Sequence, residues 1–292
     1  MTTTTVKSLH EKAVLVKLVQ HCWSGRKVDK AATAKVAKDF EAKSTRVGTY
    51  RKTIVPREYL QEETEIRRQA YNYHLTNSLP WMDGGVRMIP VTVLQSYLGA
   101  MRKFEADHKS AAKKIAANYA LAVKEGMLLQ GKMANPADYP SAESIAARFG
   151  LNIIVMQLPS TVDWRVDVPK QQLTELKAQA EKDMQQLQQD AVKDLYRRLG
   201  EAVGHAQERL SKEENVFRNS LFENLKEVVG VVGRLNFTGD PKLEAMRKEI
   251  EAELAKQTAD VVRADPALRK KVASDAAAIM KKMSSYMGAP KK

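Results

Sequence analysis

The sequence predicts a predominantly helical α+β protein, with a few short strands in its N-terminal half, long coiled-coil-type helices and an all-helical C-terminal part. Two observations support this class. Hydrophobic residues make up 43% and charged residues 28% of the 292 positions, as in ordinary folded domains, whereas aromatic residues account for only 6%. Ala, Lys, Glu and Gln are abundant, and these residues favour helices over sandwiches and barrels.

The first quarter of the chain alternates between strand and helix patterns. Residues 13–19 are a β-branched apolar run, which favours a buried strand over a short helix, and residues 46–55 alternate in a way that predicts a second strand. Asp29 is a predicted N-cap between them. The apolar face of the helix that it starts would contain Ala32, Val36 and Phe40. Pro56 suits the first turn of a further helix.

The middle of the chain combines turn, helix and strand signals. Residues 79–85 have the composition of a turn, and a long helix with a heptad-like apolar seam is predicted over 91–125. His108 lies on that seam beside Glu105, and we expect it to be a partly buried packing residue with a local hydrogen bond; a ligand or a proton switch is the alternative. Residues 151–158 predict a buried strand and residues 162–168 a half-exposed one.

The longest predicted helix covers residues 169–212. Its apolar positions span 37 residues in ten steps, which is close to an eleven-residue repeat and predicts a nearly straight rod of roughly 65 Å that needs a partner helix. The seam proposed for this contact contains Leu173, Leu176, Met184, Leu187, Leu195 and Leu199. Residues 169–214 hold eight Lys or Arg and nine Asp or Glu, so this helix is nearly neutral and suited to protein contacts.

Three more helices are predicted near the C-terminus, at 216–232, 240–264 and 265–287. The last two begin with Asp-Pro, which combines an N-cap with a proline at the first helical position. We therefore divide the chain into a mixed α+β region, 1–168, and a helical region, 169–292.

The charge of the chain is concentrated at its N-terminal end. Residues 1–57 hold 13 Lys or Arg against four Asp or Glu, whereas the whole chain has a formal net charge of +13. Such a basic end attracts phosphates or acidic proteins, although it also suits a solvated face. The start lacks a signal-peptide h-region, and no stretch approaches the about 18–20 apolar residues of a membrane span. With Cys22 as the single cysteine, a cytoplasmic protein without a membrane partner is expected.

The sequence contains no recognisable catalytic motif. There is no Walker-type Gly-rich loop and no pair of Cys or His at metal-ligand spacing, so no cofactor or metal is predicted. His21 and Cys22 are adjacent on a predicted strand and would point to opposite faces, which excludes a nucleophile–base pair between them. A non-enzymatic protein is expected, with a site assembled from distant elements as the alternative.

A basic and aromatic cluster in the N-terminal region suggests nucleic-acid binding. Single-strand-binding proteins interleave stacking aromatic residues with phosphate-neutralising Arg and Lys. The candidate residues are Trp23, Arg26, Lys27, Arg46, Tyr50, Arg51 and Lys52. An edge strand protected by charge would have the same composition, so both interpretations stay open.

Several short motifs resemble an uncharacterised family found in bacteriophages and mobile elements. They are Trp-Ser-Gly-Arg-Lys at 23–27, the helix at Pro56, Leu-Pro-Trp at 79–81 and the Trp164 strand, and the likeness covers about the first 230 residues. Genes of that family often lie beside MoxR/CobS-type AAA+ ATPases and von Willebrand A-type proteins. The resemblance implies a phage-type origin and a role as adaptor or substrate of an ATPase machine. The chain lacks the motor's Walker loop and the Asp-x-Ser-x-Ser metal motif.

Two functional hypotheses follow. The first is a non-enzymatic accessory or adaptor protein that forms oligomers or binds a partner protein, such as an AAA+ ATPase, through the seams of its long helices. The alternative is a nucleic-acid-binding accessory protein that uses the basic N-terminal region.

Overall fold

The computed structural model describes residues 6–159, 169–212 and 215–287, and the predicted strand at 162–168 lies outside them. The chain is a mostly helical α+β protein, as predicted. The strands are β1 (Ala13–His21), β2 (Arg26–Val28), β3 (Arg51–Thr53), β4 (Leu79–Met82), β5 (Val86–Pro90) and β6 (Gly150–Met156). The helices are α1 (Val6–Lys12), α2 (Lys30–Asp39), α3 (Gln61–Thr76), α4 (Val91–Ala117), α5 (Tyr119–Gln130), α6 (Ala142–Ile145), α7 (Lys170–Ser211), α8 (Ser220–Leu235), α9 (Pro241–Ile250), α10 (Ala259–Ala264) and α11 (Pro266–Met287).

Four of the strands form an antiparallel sheet in the order β4–β5–β1–β6. Pairing between β1 and β5 runs from Ala13 opposite Pro90 to Lys17 opposite Val86. The apolar run at 13–19 is therefore a strand, as predicted. β2 and β3 pair separately as a short two-stranded antiparallel ladder.

The interpretation of residues 79–85 as a turn was wrong for the first four of them. Residues 79–82 are β4, and Leu79 and Trp81 alternate into the interior with almost no exposed surface. Only 83–85 connect β4 to β5, and Gly84 and Gly85 both have positive φ there, which glycine adopts without strain. Pro80 obscured this strand because proline is usually excluded from central strand positions.

Two other predicted elements are shorter than expected. Of residues 46–55, only β3 is a strand, because Ser44 accepts a hydrogen bond from the N–H of Arg46 and starts a 3-10 turn over Thr45–Val47. The helix predicted at 91–125 is divided into α4 and α5 at Asn118. The Asn118 side chain donates to the carbonyl of Lys114 and so competes with the helical backbone.

The strand predicted at 151–158 is present as β6, but it was wrongly expected to be buried. β6 lies at the edge of the sheet, and Asn152, Ile154 and Val155 are exposed. Further along, the helix predicted at 240–264 is divided into α9, a π-helical segment over Glu251–Ala255, and α10. The Asp-Pro starts of α9 and α11 are confirmed, since Asp240 and Asp265 each accept backbone N–H groups of the first turn.

The chain forms two compact units, each built from separate segments. The first unit contains Met1–Lys17, Leu75–Leu98 and Val155–Lys292, and the second unit contains Leu18–His74 and Gly99–Ile154. These units are discontinuous in sequence, whereas the predicted division into 1–168 and 169–292 is contiguous. That division stays a prediction.

The core of the first unit forms along α7. This helix has the length predicted for the rod, and its partner helix lies in the same chain, because α11 packs along it and α8 covers a second side. Leu195, Leu199 and Ala206 are fully buried within this core. Among the described helices, none combines the length and the apolarity that crossing a bilayer requires.

The core of the second unit is smaller. Leu60, Ile115, Tyr119, Ile145 and Phe149 form its apolar centre. Gly126 of α5 comes unusually close to Ile54, the residue after β3. A Cβ at position 126 would lie 2.0 Å from the carbonyl oxygen of Ile54. This contact packs α5 against the chain at the end of β3.

Candidate nucleic-acid interface

Residues 24–53 of the second unit form a small structural module, which we call the basic module. It consists of β2, α2, the 3-10 turn Thr45–Val47 and β3. The ladder pairs Arg26 with Thr53 and Val28 with Arg51. Gly25 precedes the ladder with a φ of +62°, a conformation that glycine adopts readily.

Hydrogen bonds explain how the module closes on itself. Asp29 caps α2 as predicted, because its carboxylate accepts the N–H of Ala32 at 2.9 Å. Its own N–H donates to the carbonyl of Tyr50, and the N–H of Tyr50 donates to Oγ1 of Thr33 at 3.0 Å. The segment that returns from α2 to β3 is therefore bound to the start of the helix.

Lys52 anchors the module to the rest of the second unit. Its side chain is buried, and Nζ lies 2.8 Å from the Asp138 carboxylate, 3.3 Å from that of Asp29 and 2.6 Å from the carbonyl oxygen of Met133. The hydrogen bond to Asp138 raises the pKa of Lys52, and the Ala32 N–H lowers the pKa of Asp29. Lys52 is thus a charged structural residue, and the structure contradicts its predicted place on the binding surface.

The remaining Lys and Arg residues of the module face solvent. They are Arg26, Lys27, Lys30, Lys35, Lys38, Lys43, Arg46 and Arg51, and every one is classed as exposed. In the described part of the chain none of these eight forms an ion pair. The two acidic residues of the module outside the Lys52 cluster are Asp39 and Glu41. The module therefore presents a large excess of positive charge that is not neutralised internally.

Three of the lysines share one side of α2. At about 100° per residue, Lys30, Lys35 and Lys38 fall within an arc of about 140° and span about 12 Å along the helix. Ala31 and Ala34 lie within that arc and are exposed, so no large side chain separates the lysines from an approaching surface. One strand of duplex DNA has a phosphate about every 3.4 Å, so this distance covers roughly three or four phosphates.

The aromatic residues of the predicted cluster have different environments. Tyr50 is 43% exposed. Trp23 is half-buried, meets the ring of Tyr119 edge-on at 5.8 Å and packs against the core of the second unit. Trp23 therefore serves packing. Phe40, which was predicted to lie on the apolar face of α2, has a side chain that is 82% exposed.

The predicted interaction seam of α7 is divided by burial. Met184, Leu195 and Leu199 are buried in the first unit, and Leu187 packs against the same core. Leu176 is 42% exposed and Leu173 is half-buried. Most of the seam is therefore occupied by the chain's own helices, and only its N-terminal turns face solvent.

A cleft of about 630 Å³ lies within the first unit, between α7, α8 and the hairpin of β4 and β5. The Asp and Arg residues that line it are bound to each other, to Ser78 or to backbone carbonyls. Asp194 lies between Arg197 and Arg198, and Arg198 also donates to the carbonyls of Leu75, Thr76 and Ser78. These bonds satisfy the C-terminal end of α3, as cations do at helix ends. This network of ion pairs and hydrogen bonds therefore has a structural role.

A buried polar pair lies in the second unit. Nε2 of His108 is 3.0 Å from a carboxylate oxygen of Glu63, and both side chains are at most 3% exposed. The expectation of a local partner for His108 was wrong, because Glu105 instead accepts the N–H of Ile153. Sequence gave no signal for this pair, since Glu63 is on α3 and His108 on α4.

No group of three or more metal-ligating side chains occurs in residues 6–159, 169–212 and 215–287. Cys22 is exposed and forms no disulfide. Comparisons with protein-family models, with curated proteins and with solved structures gave no match. The resemblance to the phage family thus stays a prediction, and the function is argued from the geometry of this chain.

Proposed function

We propose that this chain is a nucleic-acid-binding accessory protein whose basic module contacts the phosphate backbone. The observation that supports this proposal is the set of eight exposed cations on 30 residues, with only two acidic residues left beside them. An unneutralised cluster of this density attracts a polyanion and releases its counterions on binding.

The structure of the module also suits phosphate contact. Lys52 holds the ladder through buried ion pairs, so the surrounding cations are displayed by a fixed scaffold. α2 has no buried residue, and its lysine face is open along its whole length. A backbone-directed contact of this kind positions nucleic acid without reading its sequence.

The proposal is tested by charge removal at matched positions. The test variant carries Lys30→Gln, Lys35→Gln and Lys38→Gln. The control removes three exposed lysines of the first unit for which no ion pair is found in the described residues: Lys226→Gln, Lys256→Gln and Lys271→Gln. We measure binding to a labelled oligonucleotide of about 20 nucleotides by fluorescence anisotropy at ~50 mM salt, where phosphate contacts are strongest.

The test variant should bind at least about tenfold more weakly than wild type, since each phosphate contact contributes to the salt-sensitive free energy. The control should bind like wild type. If both variants lose the same affinity, binding depends on the net charge of the chain and not on the basic module. If wild type does not bind the oligonucleotide at ~50 mM salt, the proposed function is excluded.

A second candidate function is the predicted adaptor, acting by self-association or by binding a partner such as an AAA+ ATPase. The supporting observation is that α7 has no buried residue from its start to position 183, although Leu173 and Leu176 continue its apolar seam. The double variant Leu173→Glu, Leu176→Glu should lose the association that light scattering detects in wild type, without loss of helicity. A monomeric wild type without a copurifying partner argues against this candidate.

Both proposals describe a non-enzymatic protein without a cofactor, and both place it in the cytoplasm, which is the host cytoplasm if the chain is phage-encoded. The ion pairs of the cleft beside α7 support the non-enzymatic part, because Asp194 is held between two guanidinium groups.

A further inference from the structure

The face of α2 opposite its lysines is apolar and largely uncovered. Val36 and Phe40 lie one turn apart on that face, and they are 47% and 82% exposed. Val47 and Tyr50, on the segment that returns to β3, are 76% and 43% exposed. Four large apolar side chains thus meet solvent within fifteen residues.

We call the four exposed side chains Val36, Phe40, Val47 and Tyr50 the aromatic patch. Thr33 lies on the same side of α2 as Val36 and Phe40, and its Oγ1 accepts the N–H of Tyr50. The 3-10 turn that contains Val47 packs against α2. The returning segment therefore contacts α2 and leaves Val36 and Phe40 exposed.

The end of α2 directs Phe40 outward. Phe40 is the C-cap, Glu41 follows with a φ of +49°, and the N–H of Ala42 donates back to the carbonyl of Ala37 at 2.8 Å. This hydrogen-bond pattern is typical of a helix that ends with one residue in the left-handed conformation, and that residue is usually glycine. A non-glycine residue in this conformation carries strain. The helix ends here, and the Phe40 side chain is exposed.

Cations border the aromatic patch in the sequence. Lys43 and Arg46 lie between Phe40 and Val47, and Arg51 follows Tyr50; each is exposed, and within the described ranges none has an acidic partner. A suitable ligand has flat apolar groups and negative charges at short, regular intervals. Single-stranded nucleic acid combines both, whereas a duplex keeps the faces of its bases stacked inside.

We propose that the aromatic patch stacks unpaired bases, so that the basic module prefers single-stranded over double-stranded nucleic acid. This inference rests on the proposed function. Phe40 and Tyr50 are the stacking residues, and Lys43, Arg46 and Arg51 neutralise the adjoining phosphates. The lysine face of α2 then supplies contacts that both forms of nucleic acid share.

The test compares Phe40→Ala, Phe40→Leu and Tyr50→Ala with wild type. Tyr71→Ala is the matched control, because Tyr71 is 49% exposed on α3 in the same unit, outside the module. The probes are a single-stranded oligo-dT of about 20 nucleotides, a duplex of about the same length, and anionic phospholipid vesicles, all at ~50 mM salt. Circular dichroism checks that each variant is folded.

Wild type should bind the single strand several-fold more tightly than the duplex. Phe40→Ala and Tyr50→Ala should each weaken single-strand binding about tenfold and leave duplex binding unchanged, as expected for the loss of one stacked base. Phe40→Leu should not restore binding, since leucine is apolar but cannot stack. Tyr71→Ala should behave like wild type.

Two results would overturn the inference while the proposed function survives: equal wild-type affinity for both nucleic acids, or equal losses on both in the aromatic variants. Binding to vesicles that Phe40→Leu preserves, without any single-strand preference, would assign the patch to a lipid surface and also overturn it. Failure of wild type to bind either nucleic acid would overturn the proposed function itself.

Discussion

Replacing Gly126 by alanine is the sharpest test of how the second unit is packed. A Cβ at this position of α5 would lie 2.0 Å from the carbonyl oxygen of Ile54 and 3.2 Å from Oη of Tyr139. Because real Cβ contacts are hardly ever shorter than about 3 Å, the two backbones would have to move apart by about 1 Å. The contact involves backbone atoms, so a rotamer change cannot relieve it.

Two opposing effects determine the size of the change. Alanine is more favourable than glycine in a helix interior by about 1 kcal/mol. Overpacking costs about 1–3 kcal/mol, and a backbone clash belongs at the upper end. We therefore expect Gly126→Ala to lower the free energy of unfolding by about 2 kcal/mol.

The assay is urea unfolding followed by circular dichroism, with two glycines as controls. A Cβ at Gly99 of α4 meets nothing within 4 Å, and one at Gly204 of α7 meets only the flexible end of Met280, with Cε at 3.6 Å and Sδ at 3.8 Å. Alanine at either position should therefore stabilise the protein by about 0.5–1 kcal/mol. If Gly126→Ala is as stable as wild type or more so, the close approach of α5 to Ile54 is refuted.

Three further predictions concern stability. Lys52→Met should destabilise the protein most between about pH 4 and pH 10.5. The raised pKa of Lys52 contributes stability that is lost as the pH rises above about 10.5. The lowered pKa of Asp29 contributes stability that is lost as the pH falls below about 4. A deficit in melting temperature that does not vary with pH would contradict this. Arg269→Ala should cost about 2–3 kcal/mol in urea unfolding, because its guanidinium donates to the carbonyl of Leu210 in the last turn of α7 and to that of Asn215 beyond the helix. Arg269→Lys should recover only part of this stability. Glu41→Gly should raise stability by up to about 1 kcal/mol by removing left-handed strain, and it should tighten oligonucleotide binding by removing one carboxylate; lower stability would contradict the strain.

Local signals in the sequence predicted the elements that depend on local physics. Asp29 caps α2 through its own side chain, as its residue type predicted. The run of regularly spaced apolar positions predicted the length of α7. The partner of α7 was not predictable as intramolecular, because α11 lies far along the chain. The discontinuous units escaped prediction for the same reason, since each unit joins segments that no linker signal marks.

The candidate site was predictable as a charge pattern but not as a surface. Exposed Arg and Lys residues follow from composition, whereas the burial of Lys52 depends on Asp138, a distant residue. Phe40 was missed because its spacing from Val36 is that of a buried helical face. The structure shows that the segment returning from α2 to β3 leaves Val36 and Phe40 exposed. A single sequence contains no signal for the course of that segment.

The salt dependence of binding tests the central claim most directly. For a single-stranded oligonucleotide of about 20 nucleotides, each lost phosphate contact should reduce the slope of log K against log salt by about 0.7. The variant with Lys30, Lys35 and Lys38 changed to Gln should therefore show a slope shallower than wild type by about 2, and the Lys226, Lys256 and Lys271 control should keep the wild-type slope. Identical slopes for wild type and the α2 variant would contradict the assignment of the basic module as the nucleic-acid interface.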